Sequence, residues 1–267
     1  MAYPGPMIDS HCHLADKQFI EDVNAVIKRA NSAGVEQMIC IADSIEEGNR
    51  CRMLAEQYAC VFWTMGVHPH VAAQFNHQHD PGLICEALTH PKCKAVGEIG
   101  LDYHYMLSPR DIQQRAFETQ LLIARDHDVP AVVHCREAVE DVWAIINNVK
   151  PKKLVLHCCT ERWMDVERFV SAGYFLSFTG IATYPDAQLI RDTIRHCPLA
   201  QMMIETDAPY LPPEALRAKG GRGQRNEPAF VVEVATLIAM IKGVSQQEVE
   251  SVTMRNAVDF FGLPVRL

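Results

Sequence analysis

Eight short apolar runs rich in β-branched residues alternate with longer segments of helical period, and this alternation constrains the chain more than any other feature. The runs are Met7 to His11, Gln37 to Ala42, Val61 to Val67, Ala95 to Leu101, Ala131 to His134, Leu154 to His157, Tyr174 to Phe178 and Gln201 to Glu205. Strands that recur between helices pair in parallel, because a parallel neighbour needs a crossover long enough to hold a helix.

Eight such units in 267 residues predict an α/β protein, a single (β/α)8 TIM barrel. Residues 1–267 read as one domain: there is no low-complexity linker, and the Pro/Gly/Arg-rich stretch Leu211 to Gln224 reads as one elaborated loop. Between the runs, Asp16 is the expected N-cap of a helix whose apolar face is Phe19, Val23, Ile27 and Ala30, closed by Gly34. Ser108 with Asp111 reads as a capping box with Pro109 at the first helical position, and Ser245 with Glu248 opens a final helix in the same way.

Composition narrows the setting. Ten cysteines are scattered, several inside apolar runs such as Met38-Ile39-Cys40-Ile41, and no signal-like charged and apolar leader is visible, so the expectation is a reduced, cytoplasmic protein. The vicinal pair Cys158-Cys159 reads as buried packing. No apolar stretch approaches the roughly 20 residues of a membrane span, and nothing calls for an obligate protein partner. A net charge of −8 argues against a broad nucleic-acid footprint, so any phosphate contact must be local or use metal ions.

Histidines and acids fall at the C-terminal ends of the apolar runs, where a barrel presents its active site. His11 and His13 are two residues apart, so on a strand both imidazoles face one side and can chelate one ion; alone, such a pair is more often ordinary surface. Glu98 ends a run between Gly97 and Gly100 and would be costly to bury unpaired. A structural salt bridge is the plain alternative, but a metal-bridging carboxylate is preferred once nitrogen ligands converge on the same end. His134 and His157 each terminate an apolar run, and Asp207 follows the eighth. Four nitrogen and two carboxylate donors would hold two divalent ions, with Mg, Mn, Zn and Co all compatible.

Taken together, the segments Asp9-Ser10-His11-Cys12-His13-Leu14, Gly66-Val67-His68-Pro69-His70, Gly97 to Tyr103, His134-Cys135-Arg136-Glu137-Ala138, Leu156-His157-Cys158, Glu205 to Leu211 and Arg225-Asn226-Glu227-Pro228 resemble the TatD family of metal-dependent deoxyribonucleases over almost the whole chain. The resemblance implies that His11, His13, Glu98 and Asp207 hold one metal and Glu98, His134 and His157 a second, with Glu98 as bridge and Asp207 as proton acceptor for the attacking water. Cys159-Thr160-Glu161 departs from the pattern, where such proteins usually carry Phe and a small residue, which puts the local pocket shape at issue rather than the ligands.

The expected function is therefore a metal-dependent deoxyribonuclease, an exonuclease acting on DNA, with RNA as the alternative polymer. His68, Arg136 and Arg225 are candidates to hold phosphate oxygens, against plain readings as a turn-forming histidine and salt-bridging arginines. Arg217, Lys219, Arg222 and Arg225 form a candidate basic patch after the last strand, with a solvated loop as the alternative. Two rival functions stand beside this one: an amidohydrolase, esterase or lactonase acting on a small molecule, and a non-catalytic metal-binding barrel. Glu98 stands where related phosphotriesterase-like sites place a carboxylated lysine, which favours the nuclease.

Overall fold

The computed structural model describes residues 5–220 and 224–264. All eight expected strands form: β1 Met7–Cys12, β2 Val35–Cys40, β3 Val61–Met65, β4 Cys93–Asp102, β5 Ala131–Arg136, β6 Leu154–Leu156, β7 Phe175–Phe178 and β8 Met202–Ile204. They lie in one sheet in sequence order, the topology of a (β/α)8 barrel. Between them run α1 Val23–Ser32, α2 Ile45–Gln57, α3 Asp80–Leu88, α4 Arg110–Asp126, α5 Val139–Val149, α6 Trp163–Ser171 and α7 Gln188–His196, with α8 Glu214–Gly220, α9 Val231–Lys242 and α10 Gln246–Phe261 after β8. None of the helices among the described residues is by itself long and apolar enough to cross a membrane.

The chain divides into two compact units, residues 1–39 with 158–267 and residues 40–157. In the second, Val61, Trp63 and Met65 of β3, Val96, Ile99 and Leu101 of β4 and Val132 and Val133 of β5 are buried to a few per cent exposure or less, and the buried Phe117, Leu121 and Ala124 of α4 supply its helical counterpart. In the first, Ile27 and Ala30 of α1, Val234 and Ile238 of α9 and Phe260 of α10 are buried in the same way. Withdrawing a side chain of this size from water stabilises by about 1.5–3 kcal/mol, so the alternation of apolar runs is itself the driving force for these layers.

Three local expectations are corrected. The helix expected after Asp16 is two pieces: Asp16 caps only a 3₁₀ turn, Lys17–Phe19, by accepting from the Gln18 N–H, and α1 starts afresh at Val23 without a side-chain cap. Ser108 does not cap α4; its hydroxyl accepts from the Ala73 N–H and donates to the His70 carbonyl, while Pro109 takes the N-cap position. The stretch read as a loop from Leu211 contains α8, whose Arg217 pairs with Glu214 at 2.9 Å and lies over the Tyr184 ring. Ser245 does cap α10, accepting from the Glu248 N–H.

Candidate metal centre

In the unit of residues 40–157 the site begins with an irregular strand. From Val96 to Ile99 β4 advances three residues while β5 advances two, from Ala131 to Val133, so one extra residue is accommodated around Gly97 and Glu98. Bulges of this kind re-aim a side chain. A Cβ on Gly97 would press on the Val132 side chain, and Gly100, at φ +143°, sits so close to the His134 carbonyl that no side chain fits. The two glycines thus let β4 and β5 approach and bring Glu98 beside His134.

Glu98 is 2% exposed, and three imidazoles converge on its Oε1: His157 Nε2 at 2.6 Å, His134 Nδ1 at 3.1 Å and His68 Nε2 at 3.4 Å. His134 turns its other nitrogen, Nε2, to Oδ2 of Asp102 at 3.1 Å, which His70 Nε2 also approaches at 2.9 Å. Oδ1 of Asp102 accepts the backbone N–H groups of His104 at 3.0 Å and Tyr105 at 2.8 Å. Burial alone would raise the Asp102 pKa, but the bonds from His134, Tyr105 and His70 hold it well below the usual carboxylate range. For His134 burial acts in the opposite direction and lowers the pKa, and its bonds to Asp102 and Glu98 outweigh that and leave it raised.

His68 differs from its neighbours. Its Nδ1 accepts the His70 N–H at 3.1 Å, so a neutral ring carries its proton on Nε2, the nitrogen that faces Glu98. A protonated nitrogen has no lone pair for a metal. His68 is therefore placed as a hydrogen-bond donor into the site, whereas His134 and His157 present nitrogens suited to ligation.

In the other unit, His11 on β1 and His13 just after it lie on one face as their spacing requires, with their Nε2 atoms 3.2 Å apart. Oδ1 of Asp207 is 3.5 Å from the first and 3.3 Å from the second. Asp207 takes a left-handed backbone, φ +57°, fixed by its N–H on the His11 carbonyl and by the His13 N–H on the Ala208 carbonyl. Such a conformation is costly for a non-glycine residue and is concentrated at functional sites. Behind it Asp9 accepts the Thr206 hydroxyl at 2.5 Å and N–H at 2.9 Å, and burial pushes its pKa up to about 8. Glu205, also buried, accepts the Cys158 N–H at 2.7 Å and the Ser10 hydroxyl at 3.3 Å.

Both donor sets fit a divalent cation. Donors about 2.0–2.1 Å from an ion stand about 2.8–3.0 Å from one another in octahedral geometry and about 3.3–3.4 Å in tetrahedral geometry. Within the first set the separations are 3.2, 3.3 and 3.5 Å; around Glu98 they are 3.1 Å to His134 and 3.4 Å between His134 and His157, while His157 stands at hydrogen-bond distance from Glu98, 2.6 Å, and would draw back slightly to admit an ion. Mixed imidazole and carboxylate donors suit Zn and Mn and tolerate Mg.

The arginines are placed unequally. Arg225 is engaged by Asp22 at 2.7 Å, Glu227 at 2.9 Å and the Gln18 carbonyl at 2.6 Å. Arg136, at the end of β5, forms no ion pair among the described residues and lies over the Tyr105 ring, 4.8 Å from its centroid. Of the candidate basic patch, Arg217 and Arg225 hold acidic partners, Lys219 is exposed, and Arg222 lies outside the described residues. The sequence reading missed Asp102, His70, Asp9 and Glu205. Asp102 carried a usable signal: it is four residues beyond Glu98 on one strand, hence on the same face.

Histidine and carboxylate sets at the C-terminal ends of parallel strands define a metal-dependent hydrolase of the (β/α)8 class. The family profile described as TatD related DNase matches residues 8–262, and the chain belongs to that family. A metal-dependent hydrolase named YabD from Bacillus subtilis is 32% identical over 257 residues, covering 96% of this chain and 98% of that one. The 3'-5' ssDNA/RNA exonuclease TatD of Citrobacter koseri is 32% identical over 260 residues, covering 96% and 99%. Among solved structures, YJJV, a TatD homologue from Escherichia coli K12, superposes with a TM-score of 0.89 at 30% identity, covering 97% of this chain and 98% of its own.

Proposed function

We propose that this chain is an exonuclease that removes nucleotides from an end of single-stranded or frayed DNA, with RNA as a second substrate, using two divalent ions drawn from Mg, Mn and Zn. The observation that carries the reading is the convergence of His134 and His157 on Glu98 in a chain that belongs to a DNase family. In this proposal His11, His13, Glu98 and Asp207 hold one ion, Glu98, His134 and His157 the other, and Glu98 is shared. Bound ions would supply Lewis acidity, easing deprotonation of water and offsetting phosphate charge.

The chain's own groups do the rest. Asp207, held at 3.3–3.5 Å from both histidines of its set, accepts the proton of the attacking water as the new P–O bond forms and the bond to the leaving oxygen breaks. The Nε2–H of His68 and the guanidinium of Arg136 bind phosphate oxygens. Arg225, with acceptors from its own chain, is the weaker candidate for a phosphate contact. The protein acts as one domain, in the cytoplasm, without an obligate protein partner.

The test is metal-stripped protein given back Mg, Mn or Zn separately and incubated with 3'- and 5'-labelled single- and double-stranded DNA and RNA, beside Asp207→Asn. Metal-dependent stepwise shortening that is lost in the variant is expected. Failure on every strand, with turnover of small esters or lactones, would move the same donor sets to a small-molecule hydrolase.

A further inference from the structure

The segment from His104 to Leu107, which follows β4, is built unlike an ordinary surface loop. Tyr105, Met106 and Leu107 are 53%, 44% and 64% exposed, three consecutive large apolar residues open to water. Runs of this kind are avoided on soluble surfaces unless they contact something. Yet the segment is held firmly. Asp102 accepts the N–H groups of His104 and Tyr105, His104 Nδ1 meets Glu137 at 2.7 Å, and the Tyr103 N–H bonds the Arg136 carbonyl at 3.0 Å.

The Tyr105 ring is framed by imidazoles and a cation. His70 packs at 5.4 Å and His104 at 4.8 Å, both near-perpendicular, and the Arg136 guanidinium lies over the ring at 4.8 Å. The same carboxylate, Asp102, that positions this segment also bonds His134, a ligand in the proposed site. An exposed aromatic ring beside an arginine that has no acidic partner among the described residues matches the chemistry of an unstacked base with its phosphate: the ring takes the π-face and the guanidinium the charge. Because the loop is already ordered, binding spends little conformational entropy on it.

We propose that Tyr105 is a stacking platform for one base at the end of a single-stranded nucleic acid, with Arg136 holding an adjacent phosphate, and that this pair sets the preference for unpaired ends. The inference rests on the nuclease reading above and goes beyond it by naming the group that selects single strands. Tyr105 is a binding residue here, so it contributes equally before and during the chemical step.

The experiment compares wild type, Tyr105→Phe and Tyr105→Ala on labelled single strands that are intact or carry an abasic residue in turn at each of the last few positions of either end. Tyr105→Ala should raise KM about tenfold with kcat nearly unchanged, and Tyr105→Phe should stay close to wild type. At one position the abasic strand should cost wild type about the same tenfold and cost Tyr105→Ala almost nothing more, a dependence that a merely structural tyrosine would not produce. An unchanged KM in Tyr105→Ala, as when the patch serves a protein partner, or full and independent losses from variant and abasic residue, would overturn the platform while leaving the nuclease reading intact. No metal-dependent cleavage of any strand by wild type would instead sink that reading, and the platform with it.

Discussion

The two proposed ligand sets reach their geometry by different means. His11, His13 and Asp207 are positioned by backbone: a strand's two-residue repeat aligns the imidazoles, and a left-handed residue swings the carboxylate toward them. In the set of Glu98, His134 and His157, the bulge of β4 places Glu98, but a side chain holds His134: Asp102 grips its outer nitrogen, and His70 and two backbone N–H groups grip Asp102. An outer carboxylate of this kind fixes the ring's tautomer and orientation and raises its basicity as a ligand. The set around Glu98 should consequently bind its ion more tightly, and its affinity should depend on a residue that never touches the metal.

The largest test of this contrast is Glu98→Gln. It removes the carboxylate on which the imidazoles converge, so it should lower nuclease turnover by more than the roughly 10–100-fold typical of losing an outer-shell partner. A variant that retains wild-type turnover would end the idea that Glu98 organises the centre. Next comes Asp102→Asn, for which metal titration by calorimetry should show one binding step weakened about 10–100-fold and the other unmoved. Equal weakening of both steps would erase the distinction between the sets.

A smaller effect concerns pH in the metal-free protein. Asp102 is held below its ordinary value of 3.8, so its contribution is present above about pH 4 and is lost as pH falls through its lowered folded value. His134 is raised above its ordinary 6.5, so its contribution is complete below about pH 6.5 and is lost as pH rises through its raised folded value. In thermal melts of stripped protein the difference between wild type and Asp102→Asn should therefore be largest between about pH 4 and 6.5. A difference that does not vary with pH would show that the pair does not govern it. The least effect is expected from Arg225→Met, whose ion pairs are partly exposed: Tm should fall by about 2–4 °C with little change in KM. A large rise in KM would restore Arg225 as a substrate contact.

The sequence was most readable where one physical rule acts alone. Buried strands need apolar β-branched residues, so all eight were visible, to within a few residues at each end. The strand-end histidines were visible because a polar ring closing an apolar run has no packing reason to be there. It was least readable where two rules compete. Phe19 and Val23 share a helical face, yet the chain breaks between them because Asp16 caps only a short turn. Ser108 has the composition of a cap, but the Ala73 N–H and His70 carbonyl claim its hydroxyl first. The spacing of Asp102 from Glu98 puts both on one strand face, but it is the approach of His70 and His134 that shows what Asp102 supports. Arg136 and Arg225 look alike as phosphate candidates, and the difference between them depends on acids as far away in sequence as Asp22.

The central claim, that these two sets of side chains are metal-ligand sets, is tested most directly by anomalous diffraction from crystals equilibrated with Mn or Zn. The account predicts one peak in contact with His134, His157 and Glu98 and a second in contact with His11, His13 and Asp207, with the second weakening first as the metal concentration is lowered. Peaks that avoid these residues, or their absence at saturating metal, would contradict it.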